Sequence, residues 1–180
     1  MGRAKALLTF NGETFLDGLI ARFADFCDPV IVVLGHQPDS ILAEIRRAKQ
    51  AKFVINRHYA LGQLTSMRRG LLEVPSDTPG VLFTLVDHPN ISGSTLRELL
   101  THLSALLAIP VYGGRKGHPI YFRSELIPEF LALPPDGQAR EVIRRCRDQT
   151  VYVPVEDPGI LDDIDDPAAY QALLNTAASA

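Results

Sequence analysis

The sequence predicts a doubly wound α/β domain. Short apolar runs, typical of buried strands, occur at residues 30–34, 53–55, 81–86 and 109–112. The stretches between them carry apolar residues at helical spacing. Strands that alternate with helices along one chain favour a mostly parallel sheet with helices on its two faces.

Length and composition agree with one soluble domain. The chain has 180 residues and a formal net charge of -3, without a lysine- or arginine-rich block of the kind that binds nucleic acid. It contains no apolar run of membrane-spanning length and no signal-peptide pattern. Cys27 and Cys146 fall on predicted helices and lack metal-ligand spacing. We therefore expect a cytoplasmic protein with no nucleic-acid and no membrane partner, folded over residues 1–174 and frayed over 175–180.

The first two helices are predicted from turn and capping residues. Asn11-Gly12 indicates a tight turn, and Thr14 is placed to cap the helix that follows. That helix has one apolar face, formed by Phe15, Leu16, Leu19, Ile20 and Phe23. Asp28-Pro29 ends it, and a second helix is expected to begin at Asp39 or Ser40.

Later elements follow the same alternation. Residues 64–72 and 96–107 have helical spacing of their apolar positions, and a last helix and strand are expected before residue 156. The glycine-rich residues 113–119 fit either a phosphate-binding loop or a hairpin leading to 120–122. We favour the hairpin, because glycine-rich turns are much commoner than phosphate loops.

The apolar run at residues 81–86 ends in Asp87-His88-Pro89. We expect this strand to be buried on both faces of a parallel sheet and to stop at the proline. Ligands of open α/β sheets bind at the carboxyl ends of the strands, where Asp87 could hold Mg²⁺ against phosphate oxygens. The alternative is that Asp87 only caps the turn into the next helix.

A second group of carboxylates lies near the end of the chain, at Asp162, Asp163, Asp165 and Asp166. Asp166 and Pro167 are placed as the N-cap and first residue of a helix. Capping requires only one of the four aspartates, and close carboxylates repel one another unless a cation or solvent screens them.

Taken together, seven motifs resemble those of the MobA-like nucleotidyltransferases, in the same order. They are residues 5–8, 30–35, 56–66, 87–89, 117–119, 136–140 and 163–167. Within that family, residues 62–66 and Gly117-His118-Pro119 look most like molybdenum cofactor cytidylyltransferases. Those enzymes join CMP from CTP to the phosphate of a molybdopterin cofactor.

The resemblance implies roles for the matching residues. Asp87 would hold Mg²⁺ or Mn²⁺, with Asp163 or Asp165 as the second metal ligand, and Lys5 would neutralise the triphosphate. The nucleotide would lie near Asn56, Gly62 and Ser66. The second substrate would contact His118 and Arg140. The implied partners are CTP, a molybdopterin-type cofactor and a client molybdoenzyme or its chaperone.

The sequence departs from the family in three places. Members open with a strand and a glycine-rich loop that cradles the triphosphate and reads the base, and only Met1-Gly2 matches the end of that loop. The usual glutamine of the metal motif is His88, and the usual threonine near the C-terminus is Asp166. The resemblance thus implies a three-layer Rossmann-like nucleotidyltransferase fold without its first strand and glycine-rich loop.

Residues 1–29 therefore supply no strand to pair between residues 30–34 and 81–86. Unpaired backbone groups in an apolar setting cost about 1–3 kcal/mol each. We expect the 180-residue chain to associate through these edges and to be stabilised by an upstream extension.

Alternatives to the cytidylyltransferase are a related transferase with another nucleotide or acceptor, and an inactive module that delivers cofactor. Metal-dependent release of pyrophosphate from CTP separates the enzyme from the module.

Overall fold

The computed structural model describes residues 3–134 and 136–178, where helices alternate with strands as predicted. The Met1-Gly2 pair lies outside the described residues. The strands are β1 (Thr9–Phe10), β2 (Glu13–Thr14), β3 (Ile31–Leu34), β4 (Lys52–Ile55), β5 (Gly80–Phe83), β6 (Leu107–Tyr112), β7 (Arg115–Lys116), β8 (Ile120–Arg123) and β9 (Thr150–Pro154). The α-helices are α1 (Phe15–Ala24), α2 (Pro38–Glu44), α3 (Gln63–Leu71), α4 (Gly93–Leu100), α5 (Ile127–Ala132), α6 (Ala139–Arg145) and α7 (Pro167–Ala178). In these ranges no helix is both long and apolar enough to cross a bilayer.

Helix α1 forms as its sequence predicts. Asn11 and Gly12 both have positive φ, at 51° and 82°, and form the turn between β1 and β2. The Thr14 side chain accepts a hydrogen bond from the amide of Asp17 at the start of α1. All five residues of the predicted apolar face are buried. At the C-terminal end of the chain, helix α7 extends to Ala178, past residue 174, where the predicted domain ends.

Five strands form one mixed sheet in the order β5-β8-β6-β7, with β9 also paired to β6. Both β5 and β6 are antiparallel to β8, and β9 is parallel to β6. Consequently β5, β6 and β9 point the same way, as expected for an α/β fold. The expectation of a parallel neighbour for residues 81–86 is wrong, because β8 is inserted between β5 and β6. The strand is also shorter, ending at Phe83, and its residues are half-buried.

The hairpin predicted for the glycine-rich loop is confirmed. Gly113 and Gly114 have φ values of 55° and 76° and connect Tyr112 of β6 to Arg115 of β7. The chain then passes through a cis bond between His118 and Pro119 into β8. This return path brings the Gly117-His118-Pro119 segment back toward the end of β5.

A gap separates the mixed sheet from the parallel pair β3–β4. No strand among the described residues pairs with both β3 and β5. The gap is a cavity of about 680 Å³, lined by residues of β3, β5, α1 and α3. Its wall is mostly apolar, but it also includes Ser66 and Asp87.

A buried carboxylate fixes the segment that follows β9. Asp157 is 7% exposed and accepts hydrogen bonds from the Ser92 amide at 2.8 Å, the Thr95 hydroxyl at 2.6 Å and the Gly159 amide at 3.0 Å. The segment is thereby attached to the start of α4. Farther along, the Ile164 amide donates to the Asp87 carbonyl at 3.0 Å. These contacts bring the C-terminal aspartates to the end of β5.

We predict that Asp17→Ala lowers the free energy of unfolding by about 2–4 kcal/mol, measured by urea denaturation. Asp17 is 2% exposed, and one of its oxygens accepts from the Arg46 and Arg47 amides at 3.0 and 2.9 Å. Its other oxygen accepts from the Thr14 hydroxyl at 2.8 Å. The substitution leaves all three donors without this acceptor.

Asp25→Ala is the matched control, since Asp25 is exposed at the other end of α1. Its expected effect is below about 0.5 kcal/mol. Equal destabilisation by the two substitutions would contradict the assigned role of Asp17.

Candidate functional site

Asp87 lies beyond the carboxyl end of β5, as predicted, and its side chain is 19% exposed. Its Oδ1 atom is buried and has no hydrogen-bond partner among the described residues. A buried carboxylate oxygen without a donor is unfavourable unless a cation compensates its charge. The position therefore fits a cation ligand better than a simple turn cap.

Lys5 connects Asp87 to the C-terminal aspartates. Its Nζ atom lies 2.5 Å from Asp165 Oδ1 and 3.6 Å from Asp87 Oδ2. The buried Ala6 and Leu7 anchor the 3-10 turn that carries it. The hydrogen bond and charge of Lys5 lower the pKa of Asp165. Burial disfavours the Lys5 ammonium, but the hydrogen bond and charge of Asp165, with the charge of Asp87, raise the pKa of Lys5.

Asp163 lies beside Asp87 and His88. Ligand atoms of Asp87, His88 and Asp163 all lie within 4.8 Å of one another. Burial and the charges of Asp87 and Asp165 raise the pKa of Asp163. Of the two aspartates left open by the sequence, Asp163 lies with Asp87 and His88, and Asp165 contacts Lys5. The two also contact each other, since the Asp165 amide donates to the Asp163 carbonyl at 3.1 Å.

Two histidines pack beside this group. His88 is 7% exposed, and its ring lies 4.4 Å from the ring of His118, centroid to centroid. The His118 amide donates to the Ile160 carbonyl at 3.0 Å. A Cβ atom on Gly117 would lie 2.2 Å from that same carbonyl oxygen, so only glycine allows this approach. Burial, with the charge of His88, lowers the pKa of His118 to about 4.

The nucleotide residues implied by the resemblance form a separate loop and helix start. Asn56 is 4% exposed, and its Nδ2 donates to Thr65 Oγ1 and Ser66 Oγ, both at 2.9 Å. Its Oδ1 accepts from the His58 amide at 2.9 Å. Gly62 has φ 113° and open space where a side chain would be. Asn56 thus orders the loop from within, while Ser66 lines the same cavity as Asp87.

Arg140 does not join the Asp87 group. It is exposed at the start of α6, a helix that packs against α5 through its buried face. None of the hydrogen bonds or ion pairs described for this part of the chain connects it to Lys5, Asp87 or His118. By contrast His118, the other residue implied for the second substrate, lies next to the metal-ligand candidates.

The sequence prediction did not include His88 as a site residue, although it directly follows Asp87. Its Nε2 lies 3.8 Å from Asp87 Oδ1, and its Nδ1 is buried without a hydrogen-bond partner among the described residues. A histidine next to a candidate metal aspartate is a signal that the sequence already contains.

Comparison with known proteins places these features in context. The MobA-like NTP transferase domain matches residues 1–151. The chain is 25% identical over 167 residues to molybdenum cofactor cytidylyltransferase of Escherichia coli K12, covering 93% of this chain and 85% of that protein. The manganese complex of Rv0371c from Mycobacterium tuberculosis H37Rv has a TM-score of 0.82 at 23% identity, covering 97% of this chain and 94% of that one. A nucleotidyl transferase from Methanothermobacter thermautotrophicus has a TM-score of 0.80 at 22% identity, covering 97% and 85%.

We predict that Lys5→Ala raises the pKa of Asp165, because the substitution removes the ammonium that stabilises its charged form. The carboxyl carbon of Asp165 would be followed by NMR as a function of pH. Lys49→Ala is the control, since Lys49 is an exposed lysine in the 3-10 turn that follows α2. An Asp165 titration that is the same in both variants would show that the contact is absent in solution.

Proposed function

Because the chain belongs to the MobA-like NTP transferase family, we propose that it transfers CMP from CTP to a molybdopterin-type cofactor and releases pyrophosphate. The family match and the E. coli cytidylyltransferase support the reaction class and this substrate pair. The observation that carries the proposal is the grouping of Lys5, Asp87, Asp163 and Asp165 at the end of β5. These are charged groups that a triphosphate and a divalent cation require.

In the proposed reaction, a phosphate oxygen of the acceptor attacks the α-phosphorus of CTP. The new bond joins that oxygen to the α-phosphorus, and the bond to the bridging oxygen of the β-phosphate breaks. Pyrophosphate leaves with the electron pair of the broken bond. Such a transfer needs chiefly in-line positioning and neutralisation of charge, since two anionic substrates must meet.

Asp87 and Asp163 would hold the divalent ion, Mg²⁺ or Mn²⁺. They fit it because the buried Asp87 Oδ1 has no donor and the two side chains share a ligand group with His88. When bound, the ion would neutralise phosphate charge and hold the reacting groups in line. Asp165 would act differently, by orienting Lys5, whose Nζ it contacts at 2.5 Å.

Lys5 would neutralise the triphosphate as a compact positive charge. Its ammonium is 3.6 Å from Asp87, so phosphate oxygens bound beside Asp87 would also lie near Lys5. A lysine is ordinarily protonated at neutral pH, and the pKa of Lys5 is raised further, so the group carries its positive charge there. On the nucleotide side, Gly62 and Ser66 would border the bound CTP, and Asn56 would hold Ser66 in place through its 2.9 Å hydrogen bond.

The acceptor side is assigned to His118 and Arg140. His118 lies against His88 and so next to the proposed transfer point. Arg140 is exposed, and its guanidinium suits a phosphate dianion. Its place in the proposal depends on the family resemblance, because no described contact joins it to Asp87. In a cytoplasmic setting, the product would pass to a client molybdoenzyme or its chaperone.

We predict that Asp87→Asn leaves folding intact but lowers turnover at least about 100-fold, since the ion then has one charged ligand fewer. The measurement is pyrophosphate release from CTP with the molybdopterin acceptor, in the presence of Mg²⁺ or Mn²⁺. Asp77→Asn is the control, because Asp77 is an exposed aspartate on the loop before β5.

Retained activity in Asp87→Asn would contradict the metal assignment. If the protein prefers another nucleoside triphosphate, the assignment of CTP as substrate is wrong, but the assignment as a nucleotidyltransferase stands. A parent protein that binds the cofactor but releases no pyrophosphate from any nucleoside triphosphate would indicate a delivery module in place of the enzyme.

A further inference from the structure

The candidate ligand group of Asp87, His88 and Asp163 contains a nitrogen donor. His88 offers an imidazole, and the other two residues offer carboxylate oxygens. His88 is only 7% exposed, and its Nδ1 has no hydrogen-bond partner among the described residues. Buried imidazoles normally have both ring nitrogens satisfied. The nitrogen that faces Asp87 is the other one, Nε2, which is therefore the candidate ligand atom of His88.

The spacing of the donors suits a shared ion. Metal–ligand distances of about 2.0–2.2 Å place two ligands of one ion about 3 to 4 Å apart. The distance from His88 Nε2 to Asp87 Oδ1 is 3.8 Å, which is too long for a hydrogen bond and within that span. The Asp87 oxygen concerned is the buried one without a donor. One cation there would give Asp87 Oδ1 a partner and bind His88 at Nε2, the ring nitrogen that faces Asp87.

The ring of His88 is also held in place. It packs at 4.4 Å against the ring of His118, whose backbone is tied to Ile160. Gly117 permits that approach because it has no Cβ. A ligand whose orientation is fixed by packing binds its metal without losing further side-chain freedom.

Donor chemistry then distinguishes between ions. Mg²⁺ is bound mainly through oxygen ligands and keeps several waters, whereas imidazole is a ligand of first-row transition metals such as Fe, Ni and Zn, a series in which Mn²⁺ stands at the weak-binding end. The geometry points to a transition-metal site in which His88 coordinates the ion together with Asp87 and Asp163, so that the protein selects Mn²⁺ over Mg²⁺. This inference rests on the proposed function for the role of the ion, but its test does not require turnover.

The test is pulsed electron paramagnetic resonance of Mn²⁺ bound to the purified protein. Nitrogen coordination gives a ¹⁴N modulation of the echo, and labelling only the histidines with ¹⁵N must convert it to the ¹⁵N pattern. We expect both results in the parent protein. In parallel, Mn²⁺ affinity is measured from the free-ion signal and Mg²⁺ affinity by competition.

His88→Gln should abolish the nitrogen modulation and lower the Mn²⁺-over-Mg²⁺ affinity ratio at least about tenfold, as expected for loss of one ligand. His102→Gln is the matched control, because His102 lies just beyond the opposite end of α4 from the site. It should leave both the modulation and the ratio unchanged.

Absence of histidine-derived modulation in the Mn²⁺-loaded parent overturns the inference, even if His88→Gln fails to fold. An unchanged affinity ratio in folded His88→Gln also overturns it and leaves His88 as a packing residue beside Asp87. Failure of the proposed function is distinguishable. Nitrogen-coordinated Mn²⁺ without pyrophosphate release supports the His88 metal site and contradicts the proposed reaction. Turnover with Mg²⁺ but without nitrogen coordination supports the reaction and contradicts the His88 metal site.

Discussion

Accumulation of negative charge at the end of β5 is the constraint on which the rest of this site depends. The side chains of Asp87, Asp163 and Asp165 are brought together from segments about 76 residues apart in the chain. Lys5 contacts two of them, which leaves the group with more carboxylates than ammonium groups. Burial, together with the charges of Asp87 and Asp165, raises the pKa of Asp163, and Asp87 keeps a buried oxygen without a donor. A bound cation would relieve both effects.

The fold maintains this unfavourable arrangement through hydrogen bonds at its edges. Asp157 accepts three hydrogen bonds that attach the last segment to α4, and the Ile164 amide bonds to the Asp87 carbonyl. Gly117 lets the neighbouring loop approach Ile160 closely. Each of these contacts is made either by backbone groups or by the Asp157 carboxylate, both oxygens of which accept hydrogen bonds. The scaffold can therefore hold repelling carboxylates close together at a cost shared among many ordinary interactions.

Local chemistry made much of this predictable from sequence. The Thr14 cap, the Asn11-Gly12 turn and the Gly113-Gly114 hairpin are each determined by neighbouring residues, and each is confirmed. The placement of Asp87 beyond β5 follows from its position after the apolar run, although the strand itself ends at Phe83, before the proline. The insertion of β8 between β5 and β6 was not predictable in the same way, because strand partners are chosen by nonlocal packing.

The same distinction applies within the site. A backbone hydrogen bond joins residues 164 and 87, next to the place where Asp163 lies with Asp87 and Asp165 contacts Lys5, and no local pattern encodes that bond. Likewise, the burial of His88 depends on a ring thirty positions later in the chain. Residue types and strand ends identified the candidates, whereas the choice among them required the tertiary structure.

In the proposed site, a divalent cation would bind between Asp87 and Asp163 and organise the triphosphate there. Diffraction from crystals grown with Mn²⁺ and CTP, recorded at the manganese absorption edge, would locate that cation. The predicted result is an anomalous peak within coordination distance of both carboxylates and of phosphate oxygens, with the Lys5 ammonium beside them. Ordered CTP phosphates elsewhere on the protein, or manganese confined to exposed carboxylates away from Asp87, would contradict it.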